Sequence, residues 1–382
     1  MKTFLPILFL LLLGACSARQ PAPVALPSAS PVATSPTSAP AALAPSRAPS
    51  ATFAPSATPG PPTATPVPQA RLVQLTSDHC CSQPFWSPDS REVLFIDKPA
   101  ADAPTGIYGV SVDSPGPSKL VMPRIANYTS DLQYALSFEG TLTVVEHVSS
   151  GQQWRIQTGA RSVILSPDRT RAVWNVTPET YPFENRVTTV MLGALAATPP
   201  AGSIAGQKLT TALRGGATAW LDNSHLLMNG RMNAGSEAVT FFVYNLEDGS
   251  TRPLVTAERL RGAVPSPGGK WIAYSIAFDK TASNNGTWLV PTDGSAPPRK
   301  LDWFGAFVWR DKTHLLYIPL DPGAASMAVY EQDVNSNVVT PLTDPATTPF
   351  KIANGDWSLS PDGNKIAFVG AQDFNLWVLM LP

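Results

Sequence analysis

Short runs in which apolar and polar residues alternate occur repeatedly from residue 71 to the end of the chain. In four places the run follows a turn of serine, proline and then aspartate or glycine. These four copies occupy residues 85–95, 164–174, 264–274 and 358–368. A period of two is the pattern of a half-buried β-strand. Each copy therefore predicts a strand, a tight turn and a second strand.

The residues of these turns match the backbone conformation that a hairpin requires. Proline presets φ at about −65° at the second position of a type I turn, and aspartate or glycine suits the next positions. We therefore predict a structural role in the turns for Pro88, Asp89, Pro167, Asp168, Pro267, Pro361 and Asp362.

A second version of the unit occurs at residues 220–228 and 309–317. The two copies are 309 − 220 = 89 residues apart, about twice the roughly 40–50 residues of one four-stranded propeller blade. Asp222 and Asp311 occupy the turn in these copies, and His225 and His314 follow at equivalent positions. Because they recur at equivalent positions, we predict that both aspartates are structural and that each histidine bonds a neighbouring turn inside its blade.

The spacing of the turns predicts the fold. The turn positions are Asp89, Asp131, Asp168, Asp222, Gly268, Asp311 and Asp362, separated by 42, 37, 54, 46, 43 and 51 residues. Further strands are predicted at 107–112, 141–147, 187–192, 241–246, 287–291, 327–332 and 376–381. We predict an all-β, seven-bladed β-propeller over residues 71–382, with 71–76 completing the last blade and closing the ring. A six-bladed ring is the alternative if the copy at Asp131, which lacks the proline, is an insertion.

The first seventy residues have a different character. Residues 1–15 contain one lysine and an apolar run too short to span a membrane, which suits a signal peptide. Leu13, Gly14, Ala15 and Cys16 resemble the bacterial lipobox, and this resemblance implies cleavage before Cys16 and its acylation. An ordinary secretory signal is the alternative. Residues 16–70, rich in Pro, Ala, Ser and Thr, predict a disordered tether between a lipid-modified cysteine and the propeller.

Composition narrows the classes of partner. Charged residues make up 14% of the chain and the net charge is −1, against about 25% charged residues in an ordinary soluble domain. No basic run is present, so nucleic acid is not predicted as a partner. We expect an exported monomer, attached to the bilayer through Cys16 and facing the extracytoplasmic side.

Residues 85–89 and 357–369 resemble the repeats of TolB-type propellers, also called WD40-like or PD40 repeats. The resemblance extends over nearly all of residues 71–382, closely in four units and loosely in three. It implies a propeller fold but no single activity, because such propellers include periplasmic scaffold proteins and the gating domains of prolyl oligopeptidase-like peptidases. TolB itself carries a separate N-terminal domain, where this chain has the predicted anchor and tether.

Chemistry-bearing motifs are few. There is no Gly-x-Ser-x-Gly nucleophile motif, and the histidines form no compact zinc motif. No cofactor is predicted, although a metal in the central channel stays open as an alternative. Cys80 and Cys81 are adjacent in a chain predicted to be exported, where disulfides persist. They suit a vicinal disulfide at the entry to the first blade, with a ligand-site or redox role as the alternative.

The sequence thus predicts a lipid-anchored binding or scaffold module of the bacterial cell envelope. An envelope protein, a peptide or a glycan is the expected partner. Loops on a rigid scaffold carry recognition, so the longest insertions, 177–186, 194–209 and 279–287, are candidate rim elements. The alternative is an enzyme, a metal-dependent hydrolase or lyase with its site in the central channel.

Overall fold

The chain is all-β in a computed structural model that describes residues 69–77, 83–179 and 186–382. The described residues form strands β1 to β27 and one single-turn 3-10 helix, Ala282–Asn284. They make five four-stranded antiparallel sheets and one seven-stranded sheet. Over the same ranges, no helix is both long enough and apolar enough to span a membrane. The predicted all-β class is confirmed, and the sheets have a propeller-like arrangement.

The sheets follow one another along the chain. Sheet I contains β2 Phe85–Trp86, β3 Glu92–Asp97, β4 Gly106–Ser111 and β5 Lys119–Met122. Sheet II contains β6 Asn127–Tyr128, β7 Tyr134–Glu139, β8 Leu142–His147 and β9 Gln153–Ile156. Sheet III contains β10 Ile164–Leu165, β11 Arg171–Val176, β12 Val187–Ala194, β13 Gln207–Trp220, β14 His225–Arg231, β15 Val239–Asn245 and β16 Thr251–Ala257.

Three sheets complete the ring. Sheet IV contains β17 Leu260–Pro265, β18 Trp271–Ile276, β19 Gly286–Pro291 and β20 Arg299–Lys300. Sheet V contains β21 Gly305–Trp309, β22 His314–Pro319, β23 Tyr330–Asp333 and β24 Val339–Pro341. The closing sheet contains β25 Ile352–Leu359, β26 Lys365–Gly370, β27 Leu376–Met380 and, from the start of the chain, β1 Arg71–Gln74.

The central strands are more deeply buried than the alternating pattern predicted. Val93, Leu94 and Phe95 on β3 are successive residues, and each is fully buried. The reason is that both faces of β3 are covered: Val93 and Phe95 pack in the core shared with the closing sheet, and Leu94 on the other face is also fully buried. Separate apolar cores join sheet II to III, III to IV, IV to V, V to the closing sheet, and the closing sheet to sheet I.

The first described strand closes the ring. β1 pairs antiparallel with β27, with Arg71 opposite Met380 and Gln74 opposite Trp377. The backbone N–H of Leu75 then donates to the carbonyl of Leu376 at 2.8 Å. The predicted pairing of the chain's first strand with its last is confirmed, although the strand itself is shorter than the predicted 71–76. Closure removes an exposed sheet edge from the final sheet.

Sheet III has seven strands because β13 is continuous through a bend. Its register against β14 shifts between Leu213 and Gly216. A Cβ on Gly215 would lie 2.0 Å from the backbone oxygen of Asn229, and one on Gly216 would lie 2.5 Å from Oδ1 of Asn175. The bend therefore requires glycine. The predicted insertion at 194–209 is wrong at both ends, because β12 runs to Ala194 and β13 begins at Gln207.

Candidate functional site

A cavity of about 850 Å³ lies where the first strands of several sheets meet. Phe85 from sheet I, Tyr128 from sheet II, Val308 from sheet V and Leu359 from the closing sheet line it. Pro267, in the first turn of sheet IV, lies at its rim. Because these strands each begin a sheet, the cavity occupies the middle of the ring.

Tryptophan side chains join strands of successive repeats, two of them beside this cavity and one within sheet III. Each donates its indole N–H to a backbone carbonyl of the preceding first strand. The three bonds are Trp86 to Ser358 at 3.1 Å, Trp220 to Ile164 at 3.0 Å, and Trp309 to Val264 at 2.9 Å. We call these bonds the tryptophan clasps. The bonds of Trp86 and Trp309 join different sheets, and the bond of Trp220 joins β13 to β10 across sheet III.

The four turns of the first version that contain an aspartate share one hydrogen-bonding pattern. Three of them, at Asp89, Asp131 and Asp362, contribute residues to the cavity lining. The first residue uses its hydroxyl to donate to the aspartate and to accept a backbone N–H five residues later. In the first copy, Ser87 Oγ lies 2.7 Å from Asp89 and 2.9 Å from the nitrogen of Glu92. The other distances to aspartate are 2.5 Å for Thr129 to Asp131, 2.6 Å for Ser166 to Asp168, and 2.5 Å for Ser360 to Asp362.

The fourth residue of each turn of the first version has a left-handed backbone conformation. The φ values are 61° at Ser90, 55° at Leu132, 61° at Arg169, 70° at Gly269 and 74° at Gly363. A type I turn followed by a left-handed residue is a frequent hairpin connection. The copy at Asp131 has the same geometry without the proline, so the proline is not what defines the turn.

The second version of the unit has a different turn. Oδ1 of Asp222 accepts the backbone N–H groups of Ser224 and His225, at 2.7 and 2.8 Å. Asp311 does the same for Thr313 and His314, at 2.7 and 2.9 Å. Each histidine also places Nδ1 near its own aspartate, at 3.0 Å in the first copy and 2.8 Å in the second. The histidine–aspartate pairs are thus part of the turns.

The charged side chains of the cavity wall are neutralised by partners. Among the described lining residues these are Asp131 and Arg310. Asp131 pairs with Arg169 at 3.1 Å, and Arg310 pairs with Glu331 at 2.6 Å. Burial raises the pKa of Asp131, but hydrogen bonds from Thr129, from a backbone N–H and from Arg169 outweigh it, so the pKa lies below its ordinary value. The carboxylate is therefore ionised and fully paired at neutral pH.

Two polar side chains of the wall are available to a ligand. Asn127 and Ser130 are exposed on it. The hydroxyl of Ser358 is buried and has no hydrogen-bond partner in the described chain. Mostly apolar walls with a few placed polar groups are typical of ligand sites. Sequence reasoning missed these residues, because they come from separate repeats and precede or interrupt the turn motif.

The remaining predicted site residues fall elsewhere. Cys16, Cys80 and Cys81 lie outside the described residues. Within residues 69–77, 83–179 and 186–382, no group of three or more His, Cys, Asp or Glu side chains is placed to hold a metal ion.

The predicted rim insertions lie on loops between strands. Segment 177–186 is described only in part, at 177–179 and at 186. Segment 279–287 contains the 3-10 helix and is braced by Asp279, whose backbone N–H donates to Asn285 at 2.8 Å. Neither segment contributes to the lining of the cavity in the described part of the chain.

Comparison with solved structures identifies the fold. A structure of oligogalacturonate lyase in complex with manganese is 13% identical with a TM-score of 0.54, over 83% of this chain and 99% of that one. Oligogalacturonate lyase from Vibrio parahaemolyticus is 12% identical with a TM-score of 0.54, over 81% and 93% of the two chains. TolB from Acinetobacter baumannii is 13% identical with a TM-score of 0.38, over 75% and 78%.

No protein-family model and no curated protein sequence matches the chain. The two lyase structures show a shared fold. Together with the ring of sheets and the repeated turns, they support a β-propeller fold.

Proposed function

We propose that this chain is an exported, lipid-anchored binding module whose seven-bladed propeller holds a ligand or partner in its central cavity. The cavity carries the proposal. It is about 850 Å³ in volume and is walled by strands from four different sheets, which is the size and position expected of a ligand site. Its charged groups are already paired, so the wall is ready to bind a ligand without rearrangement.

The strand pairing supports seven blades. Five sheets have four strands each, and the bend at Gly215 and Gly216 divides sheet III into two further units. One unit contains β10 to β12 with the first half of β13, and the other contains the second half of β13 with β14 to β16. The six-bladed alternative required the copy at Asp131 to be an insertion. The separate four-stranded sheet II, which contains that copy, argues against it.

The anchor rests on the sequence alone. Cys16 follows a short apolar run and two small residues, and several acyl chains give stable membrane attachment where one does not. Replacing Cys16 by serine in the full chain should move the protein from the membrane fraction to the soluble fraction and remove its lipid mass. Retention of both in that variant contradicts the anchor.

Site-specific photocrosslinking tests binding in the cavity. A photoreactive residue at Asn127 lies on the exposed wall, whereas the same residue at Phe138 lies on sheet II outside the cavity lining. We expect the photoreactive residue at position 127 to crosslink to a molecule of the cell envelope, and we expect no such crosslink from position 138. Equal yields at both positions, or no adduct from position 127, contradict a binding role for the cavity.

A channel enzyme is the second candidate, favoured by the fold shared with two oligogalacturonate lyase structures. Incubation of the full chain with oligogalacturonate and manganese tests it directly. A lyase creates a carbon–carbon double bond, so ultraviolet absorbance should grow with time and stop after chelation. A flat trace under these conditions rejects this activity for the chain and leaves the binding proposal in place.

A further inference from the structure

The net charge of the cavity wall limits the ligands that it can take. Nη1 of Arg310 is 2.6 Å from Glu331, and Nη2 donates to Asn364 at 3.0 Å. Asp131 is paired with Arg169 in the same way. The described wall therefore offers an acidic ligand no uncommitted cation. Drawing Arg310 away from Glu331 leaves a half-buried carboxylate without its partner, which is unfavourable.

The rest of the wall combines rings with a few hydroxyl and amide groups. Phe85 and Tyr128 are half-buried on adjacent sheets, so part of each ring faces the cavity. The Tyr128 hydroxyl donates to the carbonyl of Arg124 at 3.0 Å, which fixes the ring at the wall. The exposed Asn127 and Ser130 side chains supply hydrogen-bonding groups beside these rings.

These features match the surface of a neutral sugar. A pyranose ring has an apolar C–H face that packs on an aromatic ring, and its edge carries hydroxyl groups that need hydrogen-bond partners. It has no charge to be neutralised. The volume of about 850 Å³ lies inside the range of roughly 300–1,000 Å³ in which pockets bury most of a small ligand, so a short oligosaccharide fits.

We infer that the central cavity binds an uncharged oligosaccharide and discriminates against acidic ones. This inference rests on the proposed binding function and names the ligand class of the same cavity. Discrimination against acidic sugars comes from the ion pairs of Arg310 and Asp131. Affinity for the neutral sugar comes from the rings of Phe85 and Tyr128 and from the exposed polar side chains of the wall.

Titration calorimetry on the full chain tests the ligand class. The neutral probes are the trisaccharides of glucose, mannose and N-acetylglucosamine, and the acidic probe is trigalacturonate. We expect a neutral probe to bind at least about tenfold more tightly than the acidic one, a difference of about 1.4 kcal/mol. Asn127→Ala and Phe85→Ala should each weaken the neutral probe, whereas Phe138→Ala, outside the cavity, should leave it unchanged.

A charge variant tests the reason for the selection. Glu331→Gln removes the partner of Arg310 and leaves its guanidinium free to bind a carboxylate. Affinity for trigalacturonate should then rise by at least about fivefold, while affinity for the neutral probe changes little. The matched control is Glu139→Gln, which releases Arg155 from an exposed pair at 3.1 Å away from the cavity lining. That control should alter neither affinity.

The outcomes separate this inference from the proposed function. Binding of no neutral probe at millimolar concentration, tighter binding of the acidic probe, or indifference to Asn127→Ala overturns the inference. If a peptide crosslinks at position 127 and no sugar binds, the sugar inference is overturned, but the cavity is still a binding site. Absence of any crosslink and of any sugar binding overturns both.

Discussion

The tryptophan clasps are predicted to stabilise the ring through three hydrogen bonds, each of which joins successive repeats. The sharpest perturbation replaces Trp309 by β-(3-benzothienyl)alanine, which keeps the shape of the indole but has sulfur in place of the N–H. The lost bond is 2.9 Å long and joins Trp309 to the carbonyl of Val264. The matched control is the same replacement at Trp174, whose indole N–H is buried and has no partner in the described chain.

The magnitudes differ because one N–H has a partner and the other has none. A buried hydrogen bond contributes about 0.5–1.5 kcal/mol net, and a partner left unsatisfied costs about 1–3 kcal/mol. We therefore expect the replacement at Trp309 to lower the free energy of unfolding by about 1–2 kcal/mol. At Trp174 the replacement removes an unsatisfied donor, so the free energy of unfolding should stay the same or rise.

Urea unfolding followed by far-ultraviolet circular dichroism, with calorimetry as the second probe, measures both variants. Coincident transitions are needed before the midpoints are converted to free energies. A loss of about 1 kcal/mol corresponds to roughly 2 °C in Tm for a domain of this size. Equal destabilisation by the two replacements, or none at Trp309, refutes the argument that the clasps stabilise the ring.

Three further predictions concern closure, the bend and pH. Deleting residues 71–76 removes β1 and should cost about 3 kcal/mol or more from lost apolar burial; an unchanged Tm contradicts ring closure by this strand. Gly216→Ala should cost about 1–3 kcal/mol by overpacking, while Gly202→Ala, with open space around its Cβ, should be neutral in the same calorimetric scan. The hydrogen bond from Ser166 is the main reason why the pKa of Asp168 lies below its ordinary value. The ionised carboxylate therefore stabilises the fold above the unfolded pKa of about 4, and this stabilisation is lost as pH falls through the folded pKa. Asp168→Asn should therefore flatten the dependence of urea midpoints on pH below about pH 4, and an unaltered slope contradicts this.

The turns were predictable because their chemistry is local. In the copy at residues 87–90, the hydroxyl of Ser87, the carboxylate of Asp89 and the backbone N–H of Glu92 lie within five residues of each other. A motif that short determines its own hydrogen bonds. The copy at Asp131 lacks the proline of the other copies. The structure shows that the hydroxyl of Thr129 and the carboxylate carry the geometry.

The continuity of β13 was not predictable from local sequence. Its bend depends on Asn175, whose side-chain amide donates to the carbonyl of Ala217 at 2.9 Å and whose Oδ1 accepts the N–H of Ala217 at 3.0 Å. The two residues are 42 positions apart. From the sequence alone, the adjacent Gly215 and Gly216 indicate a turn or a bulge. The hydrogen bonds from Asn175 hold the backbone just after these glycines within a continuous strand.

The charge state of the cavity was hidden for the same reason. Arg310 directly follows Trp309, and from the sequence it reads as a cation exposed near a turn. Its partner Glu331 lies 21 positions further on, on β23. Pairing across strands converts a cation at the rim into a neutral part of the wall. The charge of the cavity wall, and with it the charge of the ligand, therefore depends on the pairing of Arg310 with Glu331.

The arrangement of the wall bears on how a ligand would bind. A site that is ordered before binding loses less conformational entropy when the ligand arrives. Here the clasps join strands of successive repeats. Two turns are also bonded to each other, because the N–H of Asp362 donates to the hydroxyl of Ser90 at 3.0 Å. The contacts that stabilise the ring are therefore the ones that fix the wall. Variants that weaken a clasp should consequently lower ligand affinity as well as stability, even though the indole N–H does not itself contact the ligand.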